Sequence, residues 1–366
     1  MARHALVRQV TPISRGRTAD RPSEIPAQGW RDIVWRIWSR FDDEHVMLVA
    51  AGIAFFSLLA FVPALAALVA IYGLVFDPSQ VVTQVGSVSH LLPGDVSGLL
   101  QEQLVRLTTQ PEQKLGATAL IALAITLFSA SSATKGLIEG LNIVYAEKEK
   151  RSWLHLTLFA IALTVAGIVS VVVFLASTVF LPKALELFGI TQVLPLLIVS
   201  YVTLAFLLWF ELTILYRWAP SRDTAKLRWI APGSLVAVAL LVLFSWAFSW
   251  FVRTFAAYSA YGSLGVVIAF MTWLWVSMVI ILVGAQLNAE SEHQTIRDST
   301  EGIPAPMGFR GAVMADTVGR SADSRLPPDV AIAVPIPAIR PAPALALLLV
   351  AGALLLVSRK ANRFHQ

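Results

Sequence analysis

A single carboxylate interrupts an apolar run in the second half of this chain. Glu211 lies within WFELTILYRWAP, residues 209–220, and is followed by Arg217 and Pro220. A charged side chain at the centre of a bilayer costs about 2.5–3.5 kcal/mol on insertion scales, so intramembrane carboxylates face a bundle interior or a wet cavity. Glu211 therefore suits proton coupling or contact with a cation. The alternative is a structural carboxylate that is tied to a neighbouring helix near the headgroups.

Arg217 is poorly placed to pair with Glu211 on the same helix. Six residues of α-helix separate the two by about 9 Å along the axis and about 240° around it. We expect the partner of Glu211 to come from another helix, from backbone donors or from water. Tyr216, Arg217 and Pro220 fit the simpler roles of interface anchors and a helix stop.

Hydroxyl and amide side chains form a second candidate set. The stretch FSASSATKGLIEGLNIVY contains Ser129, Ser131, Ser132, Thr134, Gly136, Gly140 and Asn142. Its polar residues either fasten neighbouring helices through hydrogen bonds or line a polar cavity. A cavity that also included Glu211 would be a binding site between helices.

A third set lies at the two ends of the last long apolar run. Tyr261, Gly262, Ser263 and Gly265 stand at its start, and Gly284, Gln286, Asn288 and Glu290 at its end. The small residues favour close helix packing, with a flexible entry to a cavity as the alternative. The polar residues are expected to form an ordinary polar helix terminus.

The motifs of common enzyme classes are absent from the sequence. It contains neither G-x-x-x-x-G-K-[ST] nor H-E-x-x-H, its six histidines are not paired at ligand spacing, and it has no cysteine. We therefore expect no metal, no other cofactor and no enzymatic activity.

The composition indicates a polytopic membrane protein. Hydrophobic residues make up 57% of the 366 residues and charged residues only 14%, against about 25% charged in soluble domains. The net charge of +5 is better explained by topology than by nucleic-acid binding. The expected partners are membrane lipids and an unidentified substrate, and not nucleic acid.

The positioning elements are six spanning helices in an all-α bundle. They are predicted at 46–76, 115–134, 153–181, 192–216, 229–252 and 263–288, each near or above the roughly 20 residues that cross a bilayer. Pro63 is expected to kink the first. Residues 30–41 predict a helix in the membrane interface, with Trp30, Ile33, Val34, Ile37, Trp38 and Phe41 on its apolar face and Arg31, Asp32, Arg36, Ser39 and Arg40 opposite.

The remaining segments are predicted from their composition. Residues 1–29 indicate a disordered Arg-rich tail, and 293–343 a disordered linker rich in Pro and Ala. A seventh apolar run at 344–358 either spans the membrane or lies at its surface, and 359–366 form a basic tail. The loop 77–114 predicts two short helices on the outer membrane surface.

The distribution of Lys and Arg predicts a cytoplasmic N-terminus. Residues 1–45 carry eight of them, and the loops 135–152 and 217–228 carry four each. The loops on the opposite side carry few, and positive charge concentrates on the cytoplasmic side. Arg359, Lys360 and Arg363 would lie outside if the seventh run spans, which argues against that span.

Four motifs resemble the YihY/BrkB family of bacterial inner-membrane proteins. They are AAGIAFFSLLAFVPAL, KGLIEGLNIVY, ILYRWAP and YGSLGVVIAFMTWLWVSMVIILVGAQLNAE. The resemblance covers residues 30–292 and implies six spanning helices with cytoplasmic ends. It also implies structural roles for the motif residues Pro63, Gly136, Gly140, Arg217, Pro220, Tyr261, Gly262, Ser263, Gly265, Gly284, Asn288 and Glu290. Family members have been named for ribonuclease activity and for serum resistance.

The chain departs from the family pattern at a few positions. Phe55 and Phe56 stand where members often carry Tyr, Ala60 where many have Ser, and Gln286 where many have Glu. Each change removes a hydroxyl or a carboxylate, so a mechanism that needs those groups does not carry over.

Three functional hypotheses follow. The first is a transporter or envelope-lipid-handling protein, in which Glu211, Asn142 and the Ser129–Thr134 cluster converge in one cavity. The second is a scaffolding membrane protein whose polar residues only fasten helices. The third, which has the least support, is a ribonuclease, which needs clustered carboxylates such as Glu139, Glu147 and Glu290 around a metal ion.

Overall fold

The protein is all-helical over the residues that its structure, a computed structural model, describes. These are 15–72, 79–87, 101–105, 117–187, 193–255 and 263–323. A 3-10 helix, Pro22–Glu24, precedes α1 (Ala27–Asp43), α2 (Val46–Tyr72), α3 (Ser79–Ser87), α4 (Ala117–Val144), α5 (Trp153–Leu187), α6 (Val193–Trp218), α7 (Leu227–Phe255), α8 (Ser263–Glu292) and α9 (Val313–Asp316). Residues 101–105 are helical as well.

Long apolar helices confirm the predicted class of helical membrane protein. Within the described residues, four segments are long and apolar enough to span: Val46–Tyr72, Trp153–Ser177, Leu227–Val252 and Leu264–Glu292. The helices α4 and α6 cover the other two predicted positions with 28 and 26 residues. Pro63 lies inside α2, which is continuous through it.

The helix α4 extends further than the sequence predicts. The predicted span ends at residue 134, but the helix continues to Val144. Ile138, Leu141 and Val144 are buried in the core at helical spacing, and this packing keeps the polar and Gly-containing turns helical. Gly140 allows the close contact, because a Cβ there would lie 2.9 Å from Ile53 Cδ1.

The two largest apolar clusters among the described residues hold the bundle together. The larger joins α2, α4, α5, α6, α7 and α8 and includes Ile53, Leu141, Tyr216 and Leu282. The smaller joins α2, α3 and α5 and includes Leu68 and Leu175. Large apolar side chains also point outward from the spans, as expected for surfaces that contact lipid.

The helices α7 and α8 approach each other at two glycines. A Cβ at Gly233 would lie 2.2 Å from Gly284 O, and a Cβ at Gly284 would lie 2.9 Å from Gly233 O. The Asn288 side chain uses this proximity, since its Oδ1 accepts a 2.7 Å hydrogen bond from Gly233 N. Small residues allow such backbone approach in membranes. Gly284 and Asn288, which the family resemblance implies to be structural, both lie at this contact.

Replacing Gly233 by Ala is expected to destabilise the protein. The added Cβ meets backbone and Asn288 atoms that cannot move aside, and overpacking of this kind costs about 1–3 kcal/mol. The midpoint of thermal unfolding in detergent measures the effect. Gly52→Ala in α2 is the matched control, because nothing lies within 4 Å of its added Cβ. Equal midpoints for the two variants would contradict the close approach of α7 and α8.

The segment after α8 is folded where the sequence predicts a disordered linker. Residues 293–323, here called the strap, have a defined backbone. The buried Arg310 guanidinium donates to four carbonyl oxygens, those of Ile296, Arg297, Ala305 and Ala315. Asp298 and Asp316 accept further backbone N–H groups. Side-chain to backbone bonds, not an apolar periodicity, therefore order the strap.

The strap also holds part of the predicted N-terminal tail. Ile296 N donates to Arg17 O at 2.8 Å, and the Arg17 guanidinium donates to Gly319 O at 2.7 Å. Thr295 Oγ1 donates to Ala19 O at 2.7 Å. Residues 15–29 are thus fixed, contrary to the expected disorder. Residues 1–14 and 324–366, which include the apolar run 344–358 and the basic tail 359–366, lie outside the described residues.

Candidate functional site at the charged end of the bundle

One end of the bundle collects buried charge around the last turns of α8. We call it the charged end; it comprises α1, the loops 145–152 and 219–226, the strap and the α8 terminus. Gln286, Asn288, Glu290 and Glu292 are all buried there. A carboxylate removed from water needs a cationic partner and further hydrogen bonds. The partners of each buried acidic group therefore show which elements meet at this end.

Glu290 is bound by two arginines of α1. The guanidinium groups of Arg36 and Arg40 both donate to its carboxylate. Arg36 also donates to Gln294 Oε1 at 2.8 Å and to Arg320 O at 2.8 Å. The predicted polar terminus of α8 is thus the point at which α1 and the strap are joined to the bundle.

The charged side of α1 packs against the bundle. Asp32, Arg36 and Ile33 are buried against the bundle, whereas Val34 and Trp38 are 60% and 81% exposed. Asp32 and Arg36 were predicted opposite the membrane-facing side, and the bundle lies on that side, where Glu290 accepts from Arg36. Ile33, predicted on the apolar face, is buried instead. The exposed tryptophan face fits the predicted contact with the membrane interface.

Asp32 ties α1 to both ends of the described chain. Its carboxylate accepts two 2.9 Å hydrogen bonds from Arg15 Nη1 and a 3.0 Å bond from Ala322 N. The Asp32 side chain is fully buried. An acidic residue of α1 therefore has its partners in the N-terminal segment and in the strap.

Glu292 forms a second, fully buried ion pair. Its carboxylate accepts from Arg222 Nη2 at 2.7 Å, and neither side chain is exposed. Ser299 Oγ donates to the same carboxylate at 2.8 Å, and the Arg222 guanidinium lies 4.3 Å from the Tyr145 ring centroid. Burial opposes the charge of Arg222, but Glu292 and Tyr145 outweigh it, so the pKa of Arg222 is raised.

Asn142 joins two loops of the charged end. Its Oδ1 accepts from Ser221 N at 2.8 Å, and its Nδ2 donates to Glu149 Oε2 at 3.0 Å. Arg151 donates to Glu149 and, at 2.6 Å, to Ala219 O. The loop after α4 is thereby attached to the loop after α6.

The predicted hydroxyl cluster bonds mostly within its own helix. Ser131 Oγ donates to Phe128 O, and Ser132 Oγ donates to Ser129 O. Thr134 Oγ1 lies 2.8 Å from Thr164 Oγ1 of α5 and is the member that links two helices. Within the described residues, these hydrogen bonds do not include Asn142 or Glu211.

Glu211 lies on α6 opposite a small-residue face of α5. Its side chain is within hydrogen-bonding reach of the Ser170 side chain. Its Oε1 is buried and has no hydrogen-bond partner, and it lies 4.0 Å from a Cβ built on Gly167. Arg217 donates instead to Glu301 of the strap, at 2.5 Å.

The other predicted site residues are spread over several helices and loops, and some lie outside the described residues. Gly265 belongs to α8, Gly136 to α4, and Pro220 to the α6–α7 loop. Tyr261 and Gly262 lie outside the described residues, as does the side chain of Ser263. Over the described part of the chain, no group of three His, Cys, Asp or Glu side chains has the arrangement of a metal site.

The fold and this site define an all-helical, multi-pass membrane protein with buried ion pairs at one end. The chain belongs to the virulence factor BrkB family, whose model matches residues 37–306, and the match confirms the resemblance seen in the sequence motifs. No solved structure matches it.

The chain matches two bacterial relatives over most of the length of each relative. A Bacillus subtilis (strain 168) protein, YfkH, named as ribonuclease-like, is 26% identical over 260 residues, 69% of this chain and 92% of the relative. A UPF0761 membrane protein of Haemophilus influenzae (strain 86-028NP) is 26% identical over 269 residues, 68% of this chain and 91% of the relative.

Replacing Glu292 by Gln is expected to destabilise the protein strongly. The change leaves the Arg222 charge buried without its counter-ion, and breaking a buried pair in this way costs about 3–5 kcal/mol. Glu301→Gln is the matched control, because its pair with Arg217 is half-exposed and such pairs contribute about 1 kcal/mol or less. Chemical unfolding in detergent compares the two variants, and equal losses would contradict the central role of Glu292.

Glu44, which lies between α1 and α2, is expected to make the free energy of unfolding depend on pH. Burial raises its pKa from 4.5 to about 7, although Arg40 and Gln286 oppose this shift. The folded state therefore holds a proton that the unfolded state has lost, and the free energy of unfolding falls as pH rises from about 4.5 to 7.

The variant Glu44→Gln tests this pH dependence. It should flatten the fall in unfolding free energy between pH 4.5 and 7, whereas Glu301→Gln should leave that fall as it is in the native sequence. A pH profile of the Glu44→Gln variant with an unchanged slope would exclude Glu44 as its source.

Proposed function

We propose that this protein is an integral protein of the bacterial inner membrane that transports a solute or handles an envelope lipid. In this proposal α2 and α4 to α8 are six spanning helices, and the N-terminus and the charged end are cytoplasmic. The excess of Lys and Arg in residues 1–45, 135–152 and 217–228 supports this orientation. The lengths of α4 and α6 are sufficient for spanning.

The observation that carries the proposal is the unused oxygen of Glu211. A carboxylate that only fastens two helices is expected to have its acceptors occupied. Ser170 is within reach of the Glu211 carboxyl group, and Glu211 Oε1 is buried beside Gly167 without a hydrogen-bond partner. This free acceptor, between two apolar helices, suits a proton, a cation or the polar headgroup of a lipid as the bound species.

The exposed face of α1 supports the lipid part of the proposal. Ala27, Trp30, Arg31, Val34, Trp35 and Trp38 line a groove on its outer side. Tryptophan rings prefer the headgroup level, and arginine complements anionic headgroups. Membrane lipids are therefore the partners that we propose.

The second candidate function is a scaffolding role in the cell envelope. Its support is the way in which Asn142 and Thr134 direct their hydrogen bonds to neighbouring elements of the same chain. On this hypothesis Glu211 is one more fastening residue. Transport and lipid handling then have no site in the bundle.

An enzymatic role as a ribonuclease has the least support. The candidate carboxylates Glu147 and Glu290 have different partners: Glu147 accepts from Val313 N at 2.7 Å, and Glu290 accepts from Arg36 and Arg40. Carboxylates occupied in this way are not free to hold a catalytic metal ion. We therefore propose a non-enzymatic function.

Native mass spectrometry of the protein extracted from its own membrane tests the role of Glu211. The native chain is expected to retain a defined lipid or small molecule that Glu211→Gln loses, because the amide cannot supply the anionic acceptor. Glu301→Gln makes the same chemical change at an exposed position and should retain the ligand. If all three proteins carry only bulk lipid, the scaffolding hypothesis replaces the first.

A further inference from the structure

A rigid loop of the strap exposes three large apolar side chains. Ile303 is 93% exposed, Phe309 is 81% exposed and Met307 is also exposed. All three fall within EGIPAPMGF, residues 301–309, here called the apolar loop. Single exposed apolar residues are common on protein surfaces, whereas concentrations of them are typical of surfaces that bind a partner or a membrane.

The backbone of the apolar loop is held from inside the strap. Asp298 Oδ2 accepts from Ala305 N at 2.8 Å, and Asp316 Oδ1 accepts from Gly308 N at 2.7 Å. The buried Arg310 side chain donates to Ala305 O at 3.1 Å. Fixing a loop costs conformational entropy, and here the fixed loop directs its apolar side chains outward.

The base of the apolar loop adjoins the start of a spanning helix. Thr300 forms an antiparallel bridge with Ala225, which is two residues before Leu227, the first residue of the α7 span. Glu301 N also donates to Thr224 O at 2.8 Å. Two residues reach at most about 7 Å, and the three from Thr300 to Ile303 reach at most about 11 Å.

These distances match the depth of the lipid headgroups. A bilayer has a hydrocarbon core of about 30 Å within a total of about 40–45 Å, which leaves about 5–8 Å of headgroup layer on each side. Trp218 and Leu227, at the adjoining ends of α6 and α7, are both about half exposed. Glu301, the first residue of the apolar loop, pairs with Arg217 next to Trp218 and donates to Thr224 O, so the loop begins beside these helix ends.

Basic side chains lie beside the apolar loop. Arg228, one residue into α7 after Leu227, is exposed. Arg297 of the strap is 60% exposed and lies 3.9 Å from Asp20 Oδ1 in an exposed ion pair. Basic residues near a surface of anionic lipid are attracted to it. An amphipathic contact of this kind combines buried apolar side chains with basic residues at its edge.

We propose that the apolar loop inserts Ile303, Met307 and Phe309 into the headgroup layer of the same membrane that α7 spans. The occupant of this surface is anionic lipid, not another protein. The insertion attaches the strap to the membrane beside α6 and α7, and it is independent of any ligand at Glu211.

Depth-dependent fluorescence quenching tests the insertion. Since the chain has no cysteine, Ile303→Cys, Phe309→Cys and Thr317→Cys each provide a single site for an environment-sensitive fluorophore. Thr317 is an exposed polar residue of the same strap and serves as the control. The proteins are placed in nanodiscs of equal parts phosphatidylcholine and phosphatidylglycerol, with or without lipid that carries a quencher near its headgroup.

Membrane insertion predicts a difference between the apolar loop and the control. Probes at positions 303 and 309 should show blue-shifted emission, loss of intensity with the lipid quencher and protection from aqueous iodide. The probe at position 317 should be quenched by iodide and not by the lipid. Iodide quenching at 303 and 309 equal to that at 317 would overturn the proposal. Protection from both quenchers would also overturn it, in favour of a contact with a second copy of the chain.

Discussion

Two carboxylates at the end of α8 impose the constraint on which the charged end depends. Glu290 and Glu292 are removed from water, and such groups are stable only where cations and hydrogen-bond donors surround them. Arg36 and Arg40 come from α1, and Arg222 comes from the α6–α7 loop. Elements that are distant in sequence therefore meet at the last turns of one spanning helix, and their positions follow from its two acidic side chains.

The buried carboxylates at the charged end and the carboxylate of Glu211 have different surroundings. Those at the charged end accept from several donors each, and their roles in joining α1, loops and strap account for their burial. Glu211 lies within the apolar bundle, where Ser170 is within reach and Oε1 has no hydrogen-bond partner. A carboxylate in an apolar environment is destabilising unless its oxygens are paired. A bound proton, cation or headgroup at Oε1 would supply that pairing.

The sequence predicts the helices and the family well, because long apolar runs and a specific motif leave few alternatives. It groups Asp32 and Arg36 on one side of α1, but it does not show that this side packs against the bundle, because their partners are distant in sequence. Arg36 turns inward toward Glu290, and Asp32 turns inward toward Arg15 and the backbone N–H of Ala322. The sequence of the strap shows no periodic apolar pattern, so its folded backbone was not predicted. The strap is held instead by the buried Arg310 side chain, which donates to backbone carbonyl oxygens. Glu211 could be recognised in the sequence as a carboxylate within an apolar run. Its neighbours Gly167 and Ser170 could not, because they belong to another helix.

The contact between the N-terminal segment and the strap has a consequence for biosynthesis. Arg17 and Gln294, which are hydrogen bonded, lie 277 positions apart in the chain. Chains fold in part as they are synthesised, so the first helices enter the membrane long before the strap exists. Until then Arg36 has no Glu290, and residues 15–25 have no surface to bind. Closure of the charged end is therefore a late step of assembly, completed only after the last spanning helix is in place.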